Sequence, residues 1–216
     1  MLELRDLTVE MGGIRLLDGF NLCVDDGEIV ALLGKSGIGK STLLRAICGL
    51  VPVITGSISV NEREVTRLPT HKRGIGLVFQ ENALLPHLNV RRNIAYGLRM
   101  SGHPRKEQLA KTQSMLQMLG IEQLAERSVD TLSGGEAKRV AVARTLATDP
   151  KVVLLDEPLT GLDEATYETV IDDILEMLRK TRASVIWVTH NEVEASRVAN
   201  RVIRLGDQSP TGTKTE

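Results

Sequence analysis

Gly34-Lys35-Ser36-Gly37-Ile38-Gly39-Lys40-Ser41 follows the apolar run Glu28-Ile29-Val30-Ala31-Leu32-Leu33 and leads into Thr42-Leu43-Leu44-Arg45-Ala46-Ile47. The order is a buried strand, a glycine-rich turn and apolar residues at helical spacing, which fits G-x-x-x-x-G-K-[ST]. Glycines let the backbone fold tightly enough for successive N–H groups to aim at one anion. A helix opening at Gly39 adds its positive dipole end at the same spot. Lys40 then supplies a point charge for phosphate, and the Ser41 hydroxyl is a hard oxygen ligand for Mg²⁺. An ordinary strand–turn–helix would need none of this chemistry in register.

The rest of the composition narrows the class. The 216 residues carry a net charge of −1, so no global field points to nucleic acid or anionic lipid. Apolar residues make up 42%, yet no run approaches the roughly eighteen needed to span a bilayer. Met1-Leu2-Glu3-Leu4-Arg5 lacks the plan of a secretion signal, so a cytosolic, soluble protein is expected. Cys23 and Cys48 have no C-x-x-C spacing and sit among apolar residues, which predicts buried free thiols.

Outward from the glycine-rich stretch, strands are expected at Leu2–Val9, Leu16–Val24, Ile29–Leu33, Ser57–Val60 and Ile75–Phe79. From Glu81 to Thr131 strands vanish and helical spacing takes over, with Ile94, Leu98, Leu109, Leu116, Leu119 and Leu124 as expected buried positions. Beyond it come a helix at Gly135–Ala147, a strand at Val152–Leu155 and a helix at Glu164–Lys180. That helix should bury Tyr167, Val170, Ile171, Ile174, Leu175 and Leu178 on one face. A strand at Ala183–Thr189, a helix at Glu192–Ala199 and a strand at Arg201–Leu205 complete the pattern. Alternation of this kind argues for an α/β fold with a mainly parallel sheet. Residues 207–216 are polar and read as a frayed tail.

Three later features restrict the chemistry. Val152 to Leu155 ends in Asp156-Glu157, and in parallel sheets ligands bind at the strands' carboxyl ends. Asp156 is suited to hold Mg²⁺ and Glu157 to polarise an attacking water. Leu132-Ser133-Gly134-Gly135-Glu136 puts two glycines at a helix start, another anion nest. Ser133-x-x-Glu136 is equally a capping box, and both readings stand. His190 follows the strand ending at Thr189, where it can face the same crevice or be an ordinary surface histidine.

Taken in order over residues 2–206, these motifs resemble those of ABC-type ATPases, the nucleotide-binding subunits of ATP-driven membrane transporters. The P-loop is Gly34 to Ser41, the Q-loop glutamine Gln80 in Val78-Phe79-Gln80, and the signature Leu132 to Glu136. The carboxylate pair is Asp156-Glu157, the D-loop Thr160-Gly161-Leu162-Asp163, and the switch histidine His190. The resemblance implies a P-loop NTPase core, 1–80 and 132–206, with an N-terminal antiparallel β portion and an inserted helical subdomain at 81–131. It implies ATP and Mg²⁺ as cofactors, with Gly34, Lys35, Ser36, Gly37, Ile38, Gly39, Lys40, Ser41 and Thr42 around the phosphates. Ser41, Asp156 and Gln80 would serve the metal, Glu157 would be the base, and His190 would steady the γ-phosphate. Two chains would pair head to tail, Ser133, Gly134, Gly135, Glu136 and Asp163 of each completing its partner's site. The helical insert would grip an integral membrane permease on the inner face of the membrane.

Gly74-Ile75-Gly76-Leu77-Val78-Phe79-Gln80, Ala83-Leu84-Leu85-Pro86-His87-Leu88 and Asn93-Ile94-Ala95-Tyr96-Gly97-Leu98 resemble importers of polyamines, iron, thiamine and oxyanions, a resemblance that implies a substrate-binding protein as a further partner. The chain departs from the family at Met11, where an aromatic usually stacks on adenine, and at Glu136, where glutamine is commoner. It also stops near Gly206, so feedback through a regulatory domain is not expected. Non-transport relatives in DNA repair or translation carry coiled-coil inserts or fused cassettes, and neither is visible here. A P-loop kinase or GTPase would leave Leu132 to Glu136 unexplained, and no N-K-x-D motif is present.

Overall fold

Strand β3 (Ile29–Leu33) is buried at all five positions because helices cover both its faces. In the computed structural model, which describes residues 1–206, α1 (Lys40–Cys48) and α6 (Glu192–Val198) do the covering. Val30 and Leu32 join the core that includes Leu43, Leu44 and Ile47 of α1, while Ala31 and Leu33 meet Ala195 of α6. A strand with no solvent face reads as a continuous apolar run instead of an alternation. The expected frayed tail, 207–216, lies outside the described residues.

The chain forms two compact units. The first comprises residues 1–77, 151–157 and 182 onward. It holds a sheet in the order β6-β7-β8-β3-β9, with β6 at Ile75–Val78, β7 at Val152–Asp156, β8 at Ser184–Thr189 and β9 at Arg201–Arg204. Strand β8 pairs in parallel with both β3 and β7, and β3 with β9. A second, antiparallel sheet runs β2-β1-β4-β5, from β1 (Leu2–Met11), β2 (Ile14–Val24), β4 (Thr55–Val60) and the two-residue β5 (Arg63–Glu64). Inward residues of both sheets share one core with α1. The alternation of β1 changes phase after Leu4: Arg5 and Asp6 are both exposed, Asp6 has φ +46°, and the register with β2 shifts before Leu7. Gly56 of β4 accommodates this bulge, since a Cβ there would lie 2.4 Å from the Arg5 and Asp6 carbonyl oxygens.

Burial differs from the sequence reading at Cys23, at Leu109 and, on α5, at Tyr167. Cys23 is exposed, because β2 alternates between Leu22 and Val24 and turns Cys23 to the face it shares with Glu3. Cys48 is buried as expected, and burial pushes its thiol up to about 12. Leu109 is also exposed, at 53%. It sits near the start of α3 (Arg105–Met118), whose buried face against α2 begins only at Thr112.

The second unit comprises 78–150 and 158–181, so it contains the expected insert together with the helices on either side of β7. Its helices are α2 (Val90–Met100), α3, α4 (Gly134–Leu146) and α5 (Glu164–Lys180), with α4 packed on both α2 and α5. Helix α5 buries Val170, Ile171, Ile174, Leu175 and Leu178, adds Met177, and leaves Tyr167 half-buried. Fully buried Asn93 of α2 donates to the carbonyls of Leu85, Leu88 and Asn89 and accepts from the Leu85 N–H. That one side chain holds the irregular segment 85–89 on the helix.

Arg73 does the same for α1. Its guanidinium donates to the carbonyls of Ala46 and Ile47 at the helix's C-terminal end, and to Thr66 and Leu68 in the connection ahead of it. A cation here meets the negative end of the helix dipole and orphan carbonyls together. Arg73→Met removes all four bonds from buried surroundings, and we expect a loss of at least about 2 kcal/mol, read by urea unfolding.

Candidate functional site

The glycine-rich loop joins β3 to α1 in the first unit. Gly37 has φ +84° and Gly39, the N-cap of α1, has φ +105°, both in the left-handed region that favours glycine. Gly34 lacks room for a side chain, since a Cβ would meet the Leu205 carbonyl at 3.1 Å and Ile38 Cγ2 at 3.2 Å. Lys40 is only 4% exposed, and its Nζ donates to the Gly34 carbonyl at 2.6 Å and the Lys35 carbonyl at 3.0 Å. The ammonium therefore lies in the loop's own curve, solvated by carbonyl dipoles that leave its charge uncancelled.

One residue further, Ser41 Oγ donates to Asp156 Oδ1 at 2.8 Å. Asp156 ends β7 and is buried; burial pushes its carboxyl up, opposed by the Ser41 hydrogen bond and by Arg45 and Lys40. A half-buried hydroxyl paired with a buried carboxylate is a fitting donor set for Mg²⁺, which takes few protein oxygens and keeps phosphate and water oxygens around it. Among the described residues no cluster of three metal-ligating side chains exists, so a fully protein-built metal cage is not what these residues form.

Glu157 follows the end of β7 with φ +44°, and its N–H donates to the Val188 carbonyl of β8 at 3.0 Å. His190 Nδ1 lies 3.3 Å from Glu157 Oε2. The two meet because β7 and β8 run in parallel, with Asp156 opposite Val188, so residues just past both strand ends emerge side by side. A left-handed glutamate is a strained backbone, of the kind that clusters at functional sites. Behind His190, buried Glu194 of α6 accepts from Trp187 Nε1 of β8 at 2.6 Å, which ties the helix after the histidine to the strand before it.

Met11, at the end of β1, is 49% exposed, and its sulfur is 3.9 Å from Thr42 Oγ1 in the first turn of α1. A cleft of about 650 Å³ also borders the loop at Lys35, Ser36 and Ile38 and reaches His190, but Lys40, Ser41 and Asp156 do not line it.

The remaining candidates belong to the second unit. Gln80 is exposed, and its main-chain carbonyl accepts from Lys138 Nζ of α4. Ser133 and Glu136 form a reciprocal capping box: Glu136 N donates to Ser133 Oγ at 3.3 Å, and Ser133 N to Glu136 Oε2 at 2.7 Å. Gly134 is exposed, whereas Gly135 is buried where a Cβ would stand 2.5 Å from Thr166 Cγ2 of α5. Asp163 caps α5 by accepting from the Thr166 N–H at 3.0 Å. The structure thus brings Lys40, Ser41, Asp156, Glu157 and His190 together in one unit, and places Gln80, Ser133 to Glu136 and Asp163 in the other. Reading the sequence missed Arg73, Lys138 and Arg144. For Lys138 a signal existed, since it stands three residues past Gly135 and four before Val142 on a face that is buried.

Strand, phosphate-type loop, helix and a carboxylate-ended strand one place further along the same sheet, beyond β8, define an α/β fold of the P-loop nucleotide-binding class. The chain belongs to the ABC transporter family, whose profile matches residues 17–160. It is 42% identical to an Fe(3+) ions import ATP-binding protein, FbpC, of Streptomyces avermitilis, over all of this chain and 63% of that protein. It is 42% identical to the sulfate/thiosulfate import ATP-binding protein CysA of Mycobacterium tuberculosis, over 98% of this chain and 61% of that one. The maltose/maltodextrin import ATP-binding protein MalK of Salmonella typhimurium is 38% identical over 94% of this chain and 55% of its own. The chain therefore spans 55–63% of the length of these curated relatives. Among solved structures, a dimeric post-hydrolysis state of an ATP-binding cassette bound to ADP and Pi superposes with a TM-score of 0.82 at 31% identity, covering 95% of this chain and 94% of that one.

The capping box makes a pH-dependent prediction. The Ser133 N–H, ahead of any other cause, holds the Glu136 carboxyl below its ordinary value. A depressed carboxylate adds stability above its unfolded pKa and loses it as pH falls through the folded one. Glu136→Gln keeps the box but not the charge at the helix N-terminus, so at pH 7 it should lower stability by roughly 0.3–1 kcal/mol. That difference should shrink to nothing on acidification below the carboxylate range, as urea unfolding at pH 7 and at low pH will show.

Proposed function

We propose that this chain is the ATP-binding and ATP-hydrolysing subunit of a membrane importer, acting with a second copy of itself and a separate permease. The observation that carries the reading is the assembly of Lys40, the Ser41–Asp156 pair and the Glu157–His190 pair at the carboxyl ends of adjacent strands. Lys40 and the N–H groups of the loop from Gly34 to Thr42 hold the phosphates, and Met11 lies against the base. Ser41 and Asp156 supply oxygens for Mg²⁺, with Gln80 serving the metal and the attacking water. Mg²⁺, when bound, neutralises charge that develops on the phosphates. Glu157 takes the proton from the attacking water, and His190, beside it, orients the carboxylate and steadies the γ-phosphate.

Ser133, Gly134, Gly135, Glu136 and Asp163 act toward the nucleotide of the second copy; the dimeric form of the solved cassette supports pairing of this kind. Residues 1–206 make one cassette domain in which 81–131 is the surface for the permease. Among the described residues no helix is long and apolar enough to cross a membrane, so the transport path is assigned to another chain at the inner membrane face. The relatives named above are import cassettes, which supports the direction of transport and weighs against a role in repair or translation. Their cargoes differ, so selection of cargo is left to the permease and its substrate-binding protein.

Two experiments test this. Glu157→Gln keeps the shape of the side chain but cannot accept the proton, so turnover should fall about 10²–10⁴-fold while Mg-ATP still binds. Two such chains should then stay closed on nucleotide and elute as a dimer, whereas Lys40→Ala should lose binding and dimer together. Near-normal phosphate release by Glu157→Gln removes it as the base, and a slow variant that stays monomeric breaks the paired site. Separately, Met11→Tyr should tighten ATP binding, since stacking on an aromatic ring contributes roughly 1–3 kcal/mol. Calorimetric titration checks that, and unchanged affinity would move adenine away from Met11.

A further inference from the structure

Helix α4 carries two cations that are committed to main-chain carbonyls of a single short segment. Lys138 is 5% exposed, and its Nζ donates to the Gln80 carbonyl at 2.6 Å. Arg144 donates from Nη1 to the Ala83 carbonyl at 2.7 Å and from Nη2 to the Asn82 carbonyl at 3.1 Å. Ala83 has φ +47°, so the segment is bent into a left-handed conformation where it meets these donors. Among the described residues neither cation has a carboxylate partner, and burial pulls both away from the charged form.

A buried ammonium without a counter-ion depends on whatever dipole faces it, and leaving it bare costs far more than losing one exposed hydrogen bond. Moving residues 80–83 off α4 would strand the buried Lys138 charge and cost half-buried Arg144 both of its carbonyl partners. The same helix begins with the Ser133 cap and rests through Gly135 on the first turns of α5, ahead of which stands Asp163. We infer that Lys138, backed by Arg144, is a positioning residue that locks the main chain at Gln80 to the helix of the Ser133–Glu136 turn, so the Gln80 side chain and that turn are carried as one body. Neutral glutamine or methionine at 138 would leave Gln80 free to shift while the turn stayed put.

This rests on the proposed role of Gln80 in serving the metal and the attacking water. The experiment is a kinetic double-mutant cycle on the full chain: Lys138→Met, Gln80→Ala and both together, with kcat and KM for Mg-ATP and a thermal midpoint for each. Misplacement of a positioning group costs up to about 100-fold, so Lys138→Met should lower kcat about 10- to 100-fold with a smaller change in KM. In the Gln80→Ala background the same change should alter kcat by no more than about twofold, because its effect passes through that side chain. A full, independent loss in the Gln80→Ala background overturns the inference, as does a Lys138→Met protein with undiminished kcat. If Gln80→Ala itself turns over normally, the role given to Gln80 fails, and a slow Lys138→Met beside it shows that Lys138 acts by another route. Lys138→Gln, which keeps an N–H donor without the charge, enters the same cycle if Lys138→Met does not fold and is held to the same outcomes.

Discussion

The hydrogen bond from Ser41 to Asp156 joins residues 115 positions apart, and it exists only because β3, β7 and β8 end at one level of a parallel arrangement. Each strand delivers its chemistry at or beyond its carboxyl end: the glycine loop and, seven residues on, Lys40 after β3, Asp156 and Glu157 at the end of β7, His190 just after β8. Such an arrangement needs strands with no wet face, hence helices on both sides and nearly unbroken apolar runs. The core formed by α1 with both sheets is therefore a condition of the site as well as of stability.

Four cations show a common solution. Lys40, Arg73, Lys138 and Arg144 all donate to main-chain carbonyls. A carbonyl solvates a positive charge without cancelling it, which at Lys40 is compatible with the phosphate role proposed for it. At Arg73 and Lys138 the consequence is mechanical, because carbonyls belong to the backbone and satisfying the cation pins the chain's path. Apolar packing alone would leave such irregular segments loose, since they present few side chains to a core. The chain is 2% aromatic, so large rings are not available to do that work.

In the second unit, the capping box resolves how one short motif can carry two readings. Ser133 Oγ and the Glu136 carboxylate are engaged with each other's main chain, so the cap is real. Gly134 stays exposed beside them, and the close seat of Gly135 on Thr166 explains a glycine that no backbone angle requires. The motif's glycines thus differ, one exposed to solvent and one shaped by α5.

By itself the sequence determined most of the elements and their order, though not β5 or the division of the helical insert into α2 and α3. The apolar run at Ile29–Leu33 and the helix at Glu164–Lys180 have the bounds that periodicity and capping imply, because both signals are local. It also determined which residue types could do phosphate chemistry, since a glycine loop ending in Lys-Ser and a strand ending in two carboxylates carry that meaning in their spacing. Tertiary structure alone decided which face each residue took. Cys23 points outward because β2 pairs it with Glu3, and Leu109 is exposed because α2 covers α3 only from Thr112 onward. It alone decided that Arg73 and Lys138 would be enclosed and half-buried Arg144 tied to carbonyls, for a lysine on a helix reads as a solvated charge until a distant carbonyl is folded against it. Pairing, cover and burial of charge depend on what arrives from elsewhere in the chain, and no local pattern encodes that arrival.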